Sequence, residues 1–215
     1  MSKLFLIPGL GADCRIYKNI DLKGHDLVCV QWIDPAKNDS LTTYAQKLID
    51  KYHILSGSIV IGNSLGGMIA IEIAKKISLQ KTILISSIKT VKEAPWYFSF
   101  FRITRLHRLI PLKKLTSLEF IVAYAFGGMS EVDQQLFGDM LKKTSPVFMK
   151  WAIEAILRWD NLSIPGNVYH LIGDKDKVFP RKGIKGADIV NGGTHVMIFN
   201  NAKKINIWLK EILSK

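Results

Sequence analysis

An α/β fold is the expectation: a three-layer α/β/α sandwich on a mostly parallel sheet of about six strands, with one inserted helical segment. Three observations predict it. Short apolar, partly β-branched runs alternate with stretches of helical period, as parallel strands joined by crossover helices do. An interior run such as Ser58-Ile-Val-Ile-Gly62 is apolar on both faces, as a strand covered on both sides must be. Between about Lys92 and Trp159 no convincing strand occurs, so the alternation is interrupted once. Residues 1–91 and 160–215 are therefore expected to form the core, and 92–159 a helical insertion over it.

The elements follow from local chemistry. Lys3–Ile7 and Leu27–Trp32 read as strands because turn signals, Pro8-Gly9 and Asp34-Pro35, close each of them. Leu41, Tyr44, Ala45, Leu48, Ile49 and Tyr52 recur at helical spacing behind a capping Asp39 or Ser40. Strand Ser58–Gly62, helix Leu65–Ile77 with Glu72, Lys75 and Lys76 on its polar face, and strand Thr82–Ser86 come next. In the insertion, Phe148, Trp151, Ala152, Ala155, Ile156 and Trp159 form a helical stripe. Asn167–Ile172 and Ala187–Val190 supply two more strands, and a last helix buries Ile205, Trp208, Leu209 and Ile212.

Composition bounds the function. With 215 residues and 48% hydrophobic content, the chain can bury a core without disulfides or a structural metal. Its two cysteines, Cys14 and Cys29, need no pairing; each reads as a small buried or loop residue, and so few cysteines suit an intracellular protein. No Cys/His cluster has zinc spacing. The apolar run Leu4–Ile7 is cut off by Pro8 and Gly9, short of a signal-peptide core, and no run reaches the roughly 18 residues of a membrane span. A cytoplasmic location is expected. The net charge of +12 favours acidic partners, but the lysines are scattered and no nucleic-acid-binding motif accompanies them, so nucleic acid is not an expected partner.

Chemistry concentrates in Gly62-Asn63-Ser64-Leu65-Gly66-Gly67. Gly-x-Ser-x-Gly alone is a weak pattern. Here a buried strand runs into Gly62 and a helix leaves after Ser64, which is the context of a nucleophile elbow: a serine on a strained strand-to-helix turn, its hydroxyl exposed. Gly62 and Gly66 suit that crowded turn. A phosphate loop would need a Gly-Lys-Ser/Thr ending, and a dinucleotide loop a different glycine spacing; neither is present.

With these residues the chain resembles the serine hydrolases of the α/β-hydrolase fold family over nearly its whole length. In that family an acid and then a histidine follow the nucleophile in chain order. Gly173-Asp174-Lys175-Asp176-Lys177-Val178-Phe179-Pro180 is similar to the family's acid loop, with Asp176 the best match and Asp174 in reserve. Asn191-Gly192-Gly193-Thr194-His195 is similar to its histidine loop and implies His195 as base; His25, His53, His107 and His170 occupy no such loop. The loop Pro8-Gly9-Leu10-Gly11 stands where the family places an oxyanion donor, implying the Leu10 and Leu65 amides as donors, with Gly9 and Gly11 allowing close approach. Pro8 stands where the family commonly has histidine.

The resemblance implies a hydrolase acting on a small carboxylic ester or thioester through an acyl-enzyme, with no metal and no organic cofactor. A serine at position 64 argues against the family's haloalkane dehalogenases, while lyases, acyltransferases and a non-catalytic ligand-binding member share the fold. The insertion falls where the family puts its cap. Its aromatics, Trp96, Tyr97, Phe98, Phe100, Phe101, Phe120, Tyr124 and Phe126, suggest an apolar acyl site. Arg102, Arg105 and Arg108 recur every third residue, as a solvated helix face or as a dock for an acidic acyl carrier protein or coenzyme A; an anionic membrane is the weaker option.

Overall fold

The computed structural model of the protein describes residues 3–106 and 128–214. Six strands, β1 (Lys3–Ile7), β2 (Asp26–Cys29), β3 (Ile59–Asn63), β4 (Lys81–Ile85), β5 (Val168–Gly173) and β6 (Asp188–Val190), form one sheet in the order β2-β1-β3-β4-β5-β6. Every neighbouring pair is parallel. Strand order reverses between β1 and β3, and in such sheets the crevice beyond the carboxyl ends at the reversal is where ligands bind.

Alternation of side chains sorts the sheet into two apolar layers. Phe5, Ile7 and Val60 pack with α1 (Leu41–Tyr52), α2 (Leu65–Ala74) and part of α5 (Pro146–Arg158). Leu4, Leu6, Ile59, Ile61, Ile83 and Ile85 face the other way, onto α4 (Glu131–Lys143), α6 (Met197–Asn200) and α7 (Ala202–Ser214). Full burial of each such aliphatic side chain contributes about 1.5–3 kcal/mol, so the continuous apolar strands commit the chain to this sandwich. Ser40, not Asp39, caps α1, in a reciprocal box with Thr43. Asp39 instead accepts from the Ala36 amide and pairs with Lys47.

Local patterning failed in four places, each for a tertiary reason. β2 stops at Cys29, because Trp32 leaves the sheet edge to stack on Phe148 at 4.8 Å and to donate its indole N–H to the Ala12 carbonyl. Glu72 lies on no polar face: it is 1% exposed, since α1 and the end of α5 cover that side of α2. Trp208 is half-buried, its N–H given to Asp188 at 2.7 Å. Cys29 is neither buried nor in a loop; it is exposed on the edge strand, while Cys14 is half-buried and opens the 3-10 turn Cys14–Tyr17.

Between β4 and β5 the described residues contain α3 (Trp96–Thr104), α4 and α5, and no strand. Helix α3 packs on α5. α3 ends at Thr104, with Arg105 in the left-handed region at φ 55°. The expected every-third-residue stripe of arginines therefore breaks after Arg102, since such a stripe needs a continuous helix; Arg108 lies outside the described residues, as do His107, Phe120, Tyr124 and Phe126.

Candidate active site

Ser64 sits between the last residue of β3 and the first of α2 with φ 52° and ψ −117°. A non-glycine residue there carries strain of order 1–3 kcal/mol and persists only when its surroundings over-determine it. Here they do. Its amide donates to the Ile85 carbonyl at 3.0 Å, and its own carbonyl accepts from the Gly67 amide at 2.9 Å and the Ser87 hydroxyl at 2.7 Å. The glycines of the turn serve packing rather than torsion. A Cβ on Gly62 would lie 2.2 Å from the Gly66 carbonyl oxygen, and one on Gly66 would lie 2.2 Å from that of Ile7, so α2 can start this close to β1 and β3 only without side chains at both.

The acid and histidine loops are joined in the same way. A Cβ on Gly173 would meet the Gly193 carbonyl oxygen at 2.1 Å, and the Lys175 amide donates to that oxygen at 2.9 Å. This backbone contact brings Asp176 to His195: Nδ1 of the ring lies 2.9 Å from Oδ2, and Nε2 lies 3.0 Å from Ser64 Oγ. The other carboxylate oxygen of Asp176 accepts from the Val178 and Phe179 amides, each at 2.8 Å. An ionised carboxylate can only accept, so the network places a proton on Nδ1 and leaves Nε2 to accept from the Ser64 hydroxyl. Both Asp176 and His195 are buried.

Asp174, the alternative acid, is exposed and turned elsewhere, accepting from the Gly192 amide at 2.6 Å. His53 ends α1 in the left-handed region, and His25 lies before β2. His170 is buried in β5, where its Nε2–H faces the Ser87 carbonyl at 2.9 Å; burial first, and Lys89 second, pull it down to about 4.

Beside Ser64 run the two backbone segments expected to supply amides. A Cβ on Gly9 would stand 3.4 Å from Ser64 Cβ, so the Gly9-Leu10 segment passes against the serine. Gly11 takes φ +72°, with a Leu141 methyl of α4 packed 2.7 Å from where its Cβ would be. Leu65 is the first residue of α2, a position whose N–H has no partner within the helix.

Of the supporting residues, Ser87 had no readable signal, whereas Tyr97 and Phe98 were expected only as aromatics of an apolar acyl site and Phe179 only as part of the acid loop. Ser87, just past the end of β4, braces Ser64 by donating its hydroxyl to the Ser64 carbonyl. Phe179 sets its ring 5.4 Å from that of His195, edge to face, and Phe98 of α3 meets Phe179 in turn at 6.1 Å. The Tyr97 hydroxyl donates to the Val178 carbonyl. Helix α3 thus leans on the acid loop. Behind the Gly9–Asp13 loop opens a cavity of about 510 Å³ bordered by Pro8, Asp13, Trp32, Met140 and Phe148; Ser64, Asp176 and His195 do not border it. Among the described residues no His, Cys, Asp and Glu side chains group as a metal site, and no helix is long and apolar enough to cross a membrane.

Comparison with solved structures finds the same architecture along the full chain. An esterase from Exiguobacterium antarcticum superposes with a TM-score of 0.71 at 18% identity, covering 100% of this chain and 92% of that one. A hydrolase from Pseudomonas aeruginosa gives 0.75 at 13% identity, over 100% and 90%. A bromoperoxidase from Bacillus anthracis gives 0.71 at 17%, over 100% and 93%. At such identities the likeness is one of fold. No curated protein matches the sequence. The sequence model of the alpha/beta hydrolase family, however, matches residues 4–205, and with a parallel sheet that carries Ser64, Asp176 and His195 on the loops beyond its carboxyl ends, the chain belongs to that family.

Proposed function

We propose that the protein is a serine hydrolase that cleaves a small carboxylic ester or thioester. The observation that carries this reading is the hydrogen-bonded series Ser64 Oγ, His195 Nε2, His195 Nδ1 and Asp176 Oδ2, at 3.0 and 2.9 Å. His195 takes the Ser64 proton as Oγ attacks the acyl carbon, and Asp176 holds the ring in the required tautomer and faces the imidazolium that results. The tetrahedral oxyanion is received by the amides of Leu10 and Leu65. As it collapses, His195 protonates the leaving alcohol or thiol; a water, deprotonated by the same ring, then releases the acid and frees Ser64. Residues 92–159 act as a cap: α3 rests on the acid loop, and its Phe98 reaches His195 through Phe179. A neutral, apolar acyl group suits that aromatic approach.

One observation favours a narrower reading in which the acyl group arrives on an acidic carrier protein or coenzyme A. Lys92, Arg102 and Arg105 are exposed around α3, and no acidic residue occurs from 94 to 106.

A fluorophosphonate probe together with p-nitrophenyl esters of increasing acyl length tests the function. Wild-type protein labels and turns over short esters; Ser64→Ala keeps the fold, by circular dichroism, and loses both. Labelling of Ser64→Ala at the wild-type rate would overturn the assignment.

A further inference from the structure

Cys14 and Cys29 are the two cysteines of the chain and both are free thiols. Cys29 pairs in register with Leu6 of β1, so the two side chains share a face of the sheet. Leu6 packs into the same apolar layer that Cys14 lies against. Cys14 Sγ reaches the carbonyl of Leu6 at 3.6 Å and that of Val30 at 3.8 Å, the residue opposite Cys29 and the residue after it. Both thiols border the 510 Å³ cavity. Neither takes part in the proposed ester chemistry.

We propose that Cys14 and Cys29 form a dithiol that low-molecular-weight disulfides oxidise, through that cavity, to an intramolecular disulfide. Exposed Cys29 reacts first. It loses its proton to water, and the thiolate attacks one sulfur of the reagent RSSR, breaking that S–S bond, releasing RS⁻ and leaving a mixed disulfide at Cys29. Cys14 then gives up its proton and attacks Cys29 Sγ, displacing the second RS⁻. Two protein thiols lose two electrons, and the reagent, which gains them, leaves as two RSH. The order follows from the surroundings: burial, then the adjoining Cys29 thiol, push the Cys14 thiol up from its ordinary range, so it is a poor first nucleophile. Once Cys29 carries the mixed disulfide, Cys14, seated on the carbonyls of the residues opposite Cys29 and after it, faces the same cavity as the sulfur it must attack. The product ties the turn that leaves the Gly9–Asp13 loop to the exposed edge strand.

The test uses the full chain, glutathione disulfide as probe, and intact-mass analysis after alkylation in denaturant. The expected result is loss of both alkylatable thiols, no retained glutathione, a monomer on a non-reducing gel and reversal by dithiothreitol. Closing a loop of about 15 residues should also raise Tm by about 6–12 °C. Cys14→Ser should stop at the mixed disulfide with glutathione retained on Cys29, and in Cys29→Ser the remaining thiol should stay free under native conditions. Wild-type protein that keeps glutathione on Cys29 as fully as Cys14→Ser does, or that forms a disulfide-linked dimer, would overturn the proposal.

Discussion

The indole N–H of Trp159, where α5 ends, donates to the carboxylate of Glu72 at 2.8 Å. Glu72 belongs to α2, the helix that begins at Ser64, and also receives the Thr42 hydroxyl at 2.8 Å and Lys75 Nζ at 3.0 Å. A carboxylate 1% exposed is tolerable only because these donors surround it. The inserted helices are therefore tied through a buried charge to the helix that presents the candidate nucleophile.

Trp159→Phe keeps most of the ring's packing and removes one donor from Glu72. The expected loss is about 1–3 kcal/mol of unfolding free energy, read from urea denaturation. An unchanged midpoint would mean that Thr42 and Lys75 suffice.

The two acids of the β5 loop should separate cleanly under the proposed mechanism. Asp176→Asn leaves the His195 ring without an acceptor for Nδ1–H and should cost about 10³–10⁴-fold in kcat. Asp174→Asn perturbs only an exposed bond to the Gly192 amide and should cost little. Parallel kcat measurements on p-nitrophenyl acetate decide it, and the reverse ranking would move the role to Asp174.

His170 makes stability depend on pH in a defined window. It titrates at about 4 when folded against 6.5 ordinarily, owing to burial first and Lys89 second. Above 6.5 both states are neutral and nothing is gained or lost. As pH falls from 6.5 toward 4 the unfolded chain takes up a proton that the folded one refuses, so stability is lost across that interval, by about 2–3 kcal/mol in all. His170→Gln, which retains a donor for the Ser87 carbonyl, should flatten the curve between pH 7 and 4.5 relative to wild type.

If an anionic carrier docks at α3, Arg102→Gln/Arg105→Gln should slow turnover of coenzyme A thioesters and leave p-nitrophenyl esters untouched. Screening over about 8 Å at physiological ionic strength should make wild-type activity on the thioester fall with salt and the double variant's hold steady. Equal losses on charged and neutral substrates would reduce these arginines to a solvated surface.

The sheet was legible because β1, β3 and β4 bury both faces, which leaves little but apolar residues along them. Ser64 and His195 were legible because crowded backbone demands glycine nearby, at Gly62, Gly66 and Gly193, and glycine is visible in a sequence. Asp174 and Asp176 could not be separated by chemistry alone; which one turns inward depends on the Val178 and Phe179 amides that receive it. Ser87 left no trace, and Tyr97 and Phe179 were legible only as a cap aromatic and a residue of the acid loop, because an ordinary serine or aromatic acquires its contacts only from what the fold sets beside it. Helical period placed Glu72 on a solvent face, since it cannot register a second layer of helices above the first. The arginine stripe broke for a local reason, the left-handed turn at Arg105.

The hydrogen bond between His195 and Ser64 spans 131 positions of the chain. In a sheet whose neighbours are all parallel, such pairings form late, because each crossover must be closed before the next strand has an edge to join. During synthesis the serine emerges long before its partner, and a chain halted anywhere short of β6 holds Ser64 without the His195 contact. Under the proposed mechanism, capture of a fluorophosphonate by Ser64 would serve as a clock for refolding: its onset after dilution from denaturant should lag the recovery of helical signal, and the lag would measure how long the carboxyl-terminal strands take to dock.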